Sequence, residues 1–450
     1  LKKWEIQLGL KHDEFEHPWD QPLDESLWDR AAEYCGNDVR ATEEVFKAMR
    51  ADYVARQILA DMSGLSINTK TQRHAEKILF GNDKRPQDKF VYTDLSTIFP
   101  GYKYEFGKSE FMGENPSEGG YVYSEPGVYQ NVGVFDVASM HPTSAIELNY
   151  FGPYTQNYKD ILDARLHIKH LEFEIAKTLL GGKLKKYIEM VENGDITAKD
   201  LSYALKIVVN IVYGMSSAKF DNAFRHPDND DNIIAKRGAL FMIHAKHKIQ
   251  ELGYTVAHIK TDSIKVPNVD DKITKFIFDL GKEYGYTFEL EHIYDAMALV
   301  NKATLIAKYQ EDGKTVWEPV GSQFAEPYVY KTLFTKEPIE AKDLFITKQV
   351  KSKMYLGNEF IGKVGLFYPS KTGYELLKEQ ERKGEIKLDA VTGTKGYLWK
   401  KATDFTDQYD IDMEYYTALC IEAIEDIKKV GNIDLLLDSI PQSFDVQILK

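Results

Sequence analysis

Two aspartates at the ends of short apolar segments are the residues of this sequence best suited to chemistry. Asp136 closes the segment NVGVFD (131–136), and Asp262 lies in GYTVAHIKTDSIKVPN (253–268), where two short apolar runs flank a polar turn. The first pattern predicts a buried strand, and the second predicts a tight β-hairpin with a carboxylate at its tip. Carboxylates at the ends of adjacent strands can bind a pair of divalent cations, which activate a hydroxyl group and neutralise phosphate charge. Viewed alone, the second segment also fits an ordinary surface hairpin with a polar turn.

A third segment, LSYALKIVVNIVYGMSSAKF (201–220), has the apolar spacing of a helix. Lys206, Asn210 and Tyr213 fall at i, i+4 and i+7, within one narrow face of that helix. A lysine, an amide and an aromatic ring in line could bind a triphosphate, with the base and sugar over Tyr213. The alternative is a core helix whose lysine only extends its charged end to solvent.

Other elements must position these groups. Pro142 predicts the start of a helix soon after Asp136. A helical, charge-rich stretch follows from about 158 to 219, and within it Arg165 and Lys169 share a helix face at the start of a basic block that ends at Lys186. The net charge of the chain is −13, which taken alone argues against a nucleic-acid partner, but the distribution of charge matters more. A solvated helix face is the alternative explanation of the block.

Bulk composition sets the broad class of the protein. The chain has 450 residues, of which 43% are hydrophobic and 28% charged, values typical of a soluble globular protein with about two to four domains. The two cysteines lie far apart in sequence, which excludes a disulfide framework and indicates a reducing, cytoplasmic compartment. No apolar run is long enough to predict a membrane span. Because the sequence begins at Leu1, we expect it to be N-terminally truncated.

Three segments together resemble a known family. DVASMHP (136–142), KIVVNIVYG (206–214) and HIKTDS (258–263) are similar, in that order, to motif A (D-x-x-S-L-Y-P), motif B (K-x-x-x-N-S-x-Y-G) and motif C (Y-G-D-T-D-S) of the family B DNA polymerases, particularly the bacteriophage forms. Three motifs in the correct order, each in its expected strand or helix, are far more specific than any one of them. The resemblance extends over roughly 116–335.

The resemblance implies an α+β right-hand polymerase that adds deoxynucleotides to a primer 3′ end by two-metal nucleotidyl transfer. Asp136 and Asp262 would be the catalytic acids, and two Mg²⁺ ions, for which Mn²⁺ can substitute, would be held by these acids and by Val137. The nucleotide-binding residues implied are Ser139, Met140, His141, Arg165, Lys169, Lys206, Asn210 and Tyr213.

Further segments extend the resemblance to DNA contacts. SEGG (117–120) looks like the family's Y-x-G-G loop, and YTFELEHIYDAMALVNKATLIAKY (286–309) is similar to its Glu-bearing strand followed by the K-x-Y motif. Lys302 would then reach the phosphates at the primer end. The DNA-binding residues implied are Gly119, Gly120, Lys260, Thr261 and Lys302.

The N-terminal part resembles a remnant of a proofreading 3′–5′ exonuclease. In YCGND (34–38), Tyr34 and Asp38 match the family's third exonuclease motif, in which the acid holds metal and the tyrosine orients water. The first two exonuclease motifs are absent, so we expect no proofreading. These residues lie on a helix predicted from Glu25 onward by the apolar spacing of Leu27, Ala31, Ala32, Cys35 and Val39.

The sequence departs from the family pattern at five positions. Lys260 replaces the first acid of motif C, which is the less critical of the two, so the metal site can depend on Asp136 and Asp262. His141 replaces the tyrosine that blocks a ribose 2′-hydroxyl, which puts sugar discrimination in doubt. The remaining departures are Ile211 in motif B, Ser117 in the loop and Thr304 in K-x-Y.

The implied domain order follows from these assignments. The segment between Asp136 and Lys206 leaves room for two antiparallel helices and little more, so no module for a terminal protein is expected. The segment MEYYTALCIEAIEDIKKV (413–430) predicts an amphipathic helix near the C-terminus. We expect an exonuclease remnant at 1–60, a connecting region with the Y-x-G-G-like loop at 61–130, palm at 131–155, fingers at 156–218, palm at 219–335 and thumb at 336–450.

The expected partners are primer–template DNA and deoxynucleoside triphosphates, with no membrane and no terminal protein. We expect a monomer located in the cytoplasm, or in the host cytoplasm if the source is viral. Two other functions remain open at this stage. The first is a catalytically inactive, polymerase-like DNA-binding remnant, which Lys260 and the motif B change favour. The second is a metal-dependent nuclease that uses the same two acids but gives motif B no role.

Overall fold

The computed structural model describes residues 1–17 and 21–437. It combines α-helices with antiparallel β-sheets, which confirms the α+β class. The last part of the predicted thumb, 438–450, and residues 18–20 of the predicted exonuclease remnant lie outside the described residues. The helices are α1 (Lys2–Gln7), α2 (Trp28–Ala48), α3 (Arg50–Ser63), α4 (Thr71–Phe80), α5 (Met140–Glu147), α6 (Thr155–Lys169), α7 (Phe173–Ala176), α8 (Lys185–Glu192), α9 (Ala198–Ser216), α10 (Ile233–Glu251), α11 (Asp271–Glu283), α12 (Ser322–Ala325), α13 (Pro327–Tyr330) and α14 (Met413–Val430).

The strands belong to two compact units of the chain. The central unit is Arg50–Lys302, and the terminal unit combines Leu1–Met49 with Ala303–Lys450. The strands are β1 (Lys103–Glu105), β2 (Lys108–Glu110), β3 (Val122–Ser124), β4 (Gly127–Val137), β5 (His258–Lys260), β6 (Ser263–Val266), β7 (Phe288–Asn301), β8 (Thr304–Glu311), β9 (Lys314–Val320), β10 (Ile346–Leu356), β11 (Glu359–Tyr374), β12 (Leu376–Arg382), β13 (Glu385–Ala390) and β14 (Trp399–Ala402).

The sheet of the central unit has the strand order β3-β5-β6-β4-β7. β5 and β6 form the predicted hairpin, with Ile259 opposite Ile264 and Lys260 opposite Ser263, so this prediction is confirmed. The predicted strand that ends at Asp136 is also confirmed, as the end of the longer β4. Because side chains alternate between the two faces of a strand, Phe135 and Ile264 enter the core while Asp136 does not.

Helices cover the core face of this sheet. Most residues of α10 are buried, including the cationic Lys236, Arg237 and Lys246. It packs against α5 and α11. The predicted helix around 201–220 is confirmed as α9, which begins earlier, at Ala198, because Thr197 and Asp200 form a capping box there. α9 packs against α6, α3 and α4.

The helix after Asp136 begins at Met140, so the prediction that Pro142 opens it is wrong by two residues. Ser139 has the left-handed φ of 54° and turns the chain sharply out of β4. Proline is tolerated in the first turn because the N–H it lacks would have no acceptor within the helix.

In the terminal unit, β10 to β14 form a sheet of order β13-β12-β10-β11-β14, and β8 pairs with β9. The predicted amphipathic helix is confirmed as α14 with the same bounds. Helix α2 is also confirmed, after a short 3-10 turn, but its predicted apolar face is wrong. Val39 is 69% exposed, whereas Asn37 and Ala41 are buried, because Asn37 donates hydrogen bonds to the buried Glu5 carboxylate and to the carbonyl of Lys11.

No helix in the described part of the chain combines the length and the apolar character that crossing a membrane requires.

An aromatic cluster supports the connection between α5 and α6. Tyr150 and Phe151 are fully buried, and Phe151 contacts Phe80, Phe90 and Tyr158 at ring-centroid distances of 5.2–6.2 Å. The chain turns directly after this cluster at a glycine, which is the residue type that adopts positive φ without a steric penalty.

We predict that Gly152→Ala destabilises the protein by about 2–5 kcal/mol, because overpacking is added to left-handed strain. Gly152 has φ +53°, and a Cβ there would lie 2.2 Å from the carbonyl oxygen of Lys89. Gly107→Ala is the matched control, since Gly107 has φ +73° with open space around its Cβ position, and we expect it to cost about 1 kcal/mol. Urea denaturation measures both values, and equal losses would contradict the steric argument.

Candidate active site

Pairing between β4 and β6 brings the two predicted catalytic acids together. Asp136 lies opposite Ser263 in the antiparallel ladder, and the backbone N–H of Val137 donates to the carbonyl oxygen of Asp262 at 2.9 Å. Asp262 therefore occupies the two-residue turn between β5 and β6, directly beside the end of β4. The side chains of Asp136 and Asp262 are both partly exposed.

The electrostatics of Asp136 show how crowded this site is with negative charge. Burial and the neighbouring carboxylate of Asp262 raise the pKa of Asp136 to about 7, and Glu291 and Glu289 add to this effect. Lys265 acts in the opposite direction but does not cancel it. When two carboxylates lie close together, their repulsion favours protonation of one of them. A bound cation would remove that penalty.

The donor set fits a hard divalent cation. Asp136 and Asp262 offer carboxylate oxygens, whereas Val137 has a hydrocarbon side chain, so only its backbone carbonyl oxygen could be a ligand. No group of three or more His, Cys, Asp or Glu side chains that could hold a metal ion occurs in 1–17 or 21–437. Two carboxylates suit Mg²⁺ in particular, because it keeps several waters and takes phosphate oxygens of a substrate as further ligands.

The sequence alone did not identify the charged groups that change the pKa of Asp136. Lys265 is only 7% exposed, and its Nζ donates to Ser263 Oγ at 3.1 Å. Its spacing of two residues from Ser263 in a strand was an available signal, because such residues share a face. Glu289 lies opposite Asp136 in the β4–β7 ladder, and Glu291 lies two residues further along β7, where its charge also acts on Asp136. The register between β4 and β7 has no local sequence signal.

Motifs A and B meet at two stacked rings. The imidazole of His141 lies parallel to the phenol ring of Tyr213, with centroids 4.2 Å apart and an angle of 6°. Burial lowers the pKa of His141, although the charge of Asp262 opposes this shift. The shift favours the neutral form of the imidazole. Its buried Nδ1 has no hydrogen-bond partner among the described residues.

This stack constrains the predicted contact with a nucleotide. His141 covers one face of Tyr213, so a nucleoside has the other face of that ring or the imidazole available. Asn210 is exposed on α9. The side chain of Met140 is buried against Gly238 of α10. Only the backbone of Met140, which follows Ser139 with its left-handed backbone conformation, could therefore contact a nucleotide.

The loop predicted to contact DNA packs against the turn that carries Asp262. The N–H of Thr261 donates to the carbonyl of Tyr121 at 2.9 Å, and a Cβ on Gly120 would lie 2.9 Å from Cγ2 of Thr261. Gly120 has φ +145°, so glycine is required here for both space and conformation. The neighbouring Gly119 is exposed.

Two predicted DNA-binding lysines flank the same hairpin. Lys260 is exposed and pairs across the ladder with Val122. The carbonyl of Lys302 lies 3.2 Å from Nε2 of His258, so the exposed Lys302 is held beside β5.

The three predicted phosphate-binding cations line one cavity of about 750 Å³. Arg165, Lys169 and Lys206 form no ion pair with the residues that the structure describes, and the buried Nε of Arg165 has no partner there. Burial lowers the pKa of Arg165. An unpaired, partly desolvated guanidinium is costly, so this cavity is suited to an anion. Further lining residues that sequence reasoning missed are Ala51, Asp52, Ile168, Leu171, Ala198, Lys199, Asp200, Ser202 and Tyr203.

The predicted exonuclease pair lies on α2 of the terminal unit. Asp38 is bound by the ammonium of Lys2 at 2.6 Å, and the same ammonium lies 4.4 Å from the centroid of the Tyr34 ring. The carboxylate is thus already compensated by a protein cation.

Comparisons with known proteins give a weak likeness. No family model matches the sequence, and no curated protein matches it. Among solved structures, 158 chains match the structure. One is the family B DNA polymerase from the hyperthermophilic archaeon Pyrobaculum calidifontis, with 12% identity, a TM-score of 0.43, and coverage of 90% of this chain and 57% of that chain. This chain thus spans less than two thirds of that polymerase, and a likeness of this size assigns neither family nor activity.

We predict that Asp136→Asn stabilises the metal-free protein more at pH 8 than at pH 4.5. The raised pKa of Asp136, about 7 against an ordinary 3.8, means that the folded state binds the proton more tightly than the unfolded state. The stabilisation that Asp136 contributes is fully present below about pH 4 and is lost as the pH rises through 7. Asparagine cannot ionise and avoids this loss.

Urea denaturation in buffer with a chelator at the two pH values measures this difference. Asp279→Asn is the control, because Asp279 forms an exposed ion pair with Lys275 on α11. An equal effect of Asp136→Asn at both pH values would show that Asp136 is not perturbed.

Proposed function

We propose that this protein is a template-directed DNA polymerase that adds deoxynucleotides to a primer 3′ end. The observation that carries the proposal is the convergence of three segments that are remote in sequence. Asp136, Asp262 and the His141–Tyr213 stack lie together, in the combination that motifs A, B and C of the resembled family predict. A hairpin or a core helix alone would not require this convergence.

The proposed reaction is a nucleotidyl transfer. The primer 3′-oxygen forms a bond to the α-phosphorus of a deoxynucleoside triphosphate, the bond from that phosphorus to the bridging oxygen breaks, and pyrophosphate leaves with the electron pair. The hydroxyl proton passes to solvent. Bound Mg²⁺ or Mn²⁺ would supply charge neutralisation at the phosphates and a lower pKa for the attacking hydroxyl. Asp136, Asp262 and the carbonyl of Val137 would hold it.

The remaining residues would position the substrates. Arg165, Lys169 and Lys206 would bind the triphosphate, and Tyr213 lies seven residues after Lys206 on α9, about 10 Å along the helix axis. Tyr213 with His141 would contact the nucleoside, aided by Asn210 and the backbone at Ser139 and Met140. His141 would take the place of the family tyrosine that faces the sugar.

The DNA itself would be held around the β5–β6 hairpin. Gly119 and Gly120 allow close approach of a strand, Lys260 and Lys302 would bind its phosphates, and Thr261 would contact the primer end. We propose that the protein acts as a monomer, without a terminal protein and without proofreading by Tyr34 and Asp38.

We predict that Asp262→Asn lowers primer extension by about a hundredfold or more, the scale on which single electrostatic contacts to a transition state act. DNA binding should persist, because loss of a negative charge does not weaken attraction to phosphates. Binding should also weaken with salt, with a logarithmic slope of about −0.9 per phosphate contacted. Extension assays with Mg²⁺ and then Mn²⁺, beside fluorescence anisotropy with labelled primer–template, measure both properties.

Asp279→Asn, the exposed aspartate on α11, is the matched control and should leave extension unchanged. Near wild-type extension by Asp262→Asn would contradict the assigned site. If the wild-type protein binds DNA but incorporates no nucleotide with either metal, the inactive DNA-binding remnant is correct instead. Shortening of DNA in the absence of nucleotides would identify a nuclease.

We predict that Arg165→Met raises the KM for deoxynucleoside triphosphates by about tenfold or more, because a hydrogen bond to a charged group contributes about 1.5–3 kcal/mol. Lys159→Met is the control on the same helix, since Lys159 is already paired with Asp163 and does not line the cavity. Steady-state kinetics give KM, and circular dichroism checks folding. A similar rise in KM for both variants would exclude the cavity as the triphosphate site.

A further inference from the structure

A second cavity of the central unit has no role in the chemistry proposed above. Its volume is about 360 Å³, and its walls come from the β1–β2 hairpin, the 117–120 loop, the segment after α9 and the start of α10. Most of its lining side chains are polar. The lining residues are Tyr104, Gly107, Ser109, Glu118, Ser217, Ala218, Lys219, Arg225, Asn229, Asp230, Asp231, Asn232 and Lys236.

Two oppositely charged side chains in these walls are more than nine-tenths buried. Lys236 donates from Nζ to Ser109 Oγ at 2.8 Å and to the carbonyl of Ser117, and Asp231 accepts from the Tyr92 hydroxyl at 3.2 Å. Burial lowers the pKa of Lys236 and raises that of Asp231. They do not form an ion pair with each other among the described contacts, so the cavity presents a hydrogen-bond donor and an acceptor at separate points.

Two asparagines in the cavity wall supply the polar groups nearest to the candidate active site. The Nδ2 of Asn232 donates to the carbonyl of Glu118 at 3.1 Å, while its buried Oδ1 has no partner in the described part of the chain. A buried acceptor of this kind calls for a ligand or a water. Asn229 donates from Nδ2 to the carbonyl of Ser216 at 3.1 Å, and Ser216 lies one helical turn after Tyr213, the ring that stacks on His141. The cavity therefore borders the end of α9.

The rim of the cavity adds an aromatic ring and two cations. Tyr104 is 37% exposed on the β1–β2 hairpin. Lys219 pairs with Glu118 at 3.3 Å, and Arg225 pairs with Asp230 at 2.6 Å. Such pairs with exposed carboxylates contribute little, so a phosphate can replace the acid at low cost.

We propose that this cavity binds an unpaired nucleobase of the template strand, the base next to be copied after the one in the active site. The proposal rests on the polymerase function above. A nucleobase fits because its edge carries both N–H donors and acceptors, its flat face can stack on Tyr104, and its phosphate can reach Lys219. The contact of Asn229 with Ser216 places the cavity at the end of α9, one helical turn from Tyr213, where the base pair being formed would lie.

The test compares two primer–templates that differ in one base only. Both carry three unpaired template nucleotides, and in one of them the second unpaired nucleotide is abasic, so that backbone charge is unchanged. Anisotropy in buffer with a chelator and without nucleotides measures affinity for each. We expect the wild-type protein to bind the abasic template about tenfold more weakly, as loss of one base–aromatic stack predicts.

Tyr104→Ala should remove this discrimination by binding both templates equally. Phe106→Ala is the matched control in the same hairpin, because Phe106 is fully exposed and does not line the cavity, and it should discriminate as the wild-type protein does. Equal binding of both templates by the wild-type protein would overturn the inference, as would unchanged discrimination in Tyr104→Ala.

Two further results separate this inference from the proposed function. If the protein extends primers but binds both templates equally, only the inference about the cavity is overturned. If it binds the abasic template more weakly but extends no primer, the inference about the cavity is supported and the proposed polymerase activity is rejected. Loss of the discrimination on addition of micromolar free dGMP would assign the cavity to a free nucleotide and overturn the template assignment.

Discussion

Main-chain pairing between β4 and β6 forces two carboxylates into proximity, and the candidate site depends on this constraint. The hydrogen bond from Val137 to the Asp262 carbonyl lies directly beyond the last pair of the β4–β6 ladder, so the main chain holds the two acidic residues side by side. Burial and the repulsion between these carboxylates together raise the pKa of Asp136. Strain of this electrostatic kind is typical of sites that bind a ligand of opposite charge.

A second region of the central unit has an excess of positive charge. Around the cavity with Arg165, Lys169 and Lys206, the uncompensated charge is positive. Each region is costly without a ligand, and each becomes favourable when a counter-charge binds, so ligands that bind only the folded state should stabilise it. An acidic chain with net charge −13 can therefore still contain a local site for a polyanion. The overall charge is a poor guide to such a site.

The sequence predicted those features that depend on local patterns. Alternation of apolar and polar residues around a turn was sufficient for the β5–β6 hairpin, and helical spacing was sufficient for α9 and α14. The sequence-based prediction failed where tertiary contacts determine which residues are buried. On α2, Cys35 and Val39 of the predicted apolar face are exposed, because a buried polar network around Glu5 contacts a different face of the helix.

In the candidate site, too, some residues could be predicted from local sequence and others depend on tertiary contacts. Asp136 and Asp262 could be paired in advance through the order of three motifs. Glu289 required knowledge of strand register, and Lys199 required knowledge of which helices are neighbours. The polar cavity around Asn232 could not have been foreseen, since its walls come from four separate segments.

The pairing of β7 with β4 has a consequence for the order in which ligands bind. It places Glu289 opposite Asp136 and Glu291 two residues further along β7, and the charges of both glutamates act on Asp136. For a polyanionic substrate, the end of β4 is therefore a repulsive surface. The nucleotide of the proposed reaction should therefore approach already complexed with its own divalent cation, and the free triphosphate should associate slowly, with a rate that increases with ionic strength.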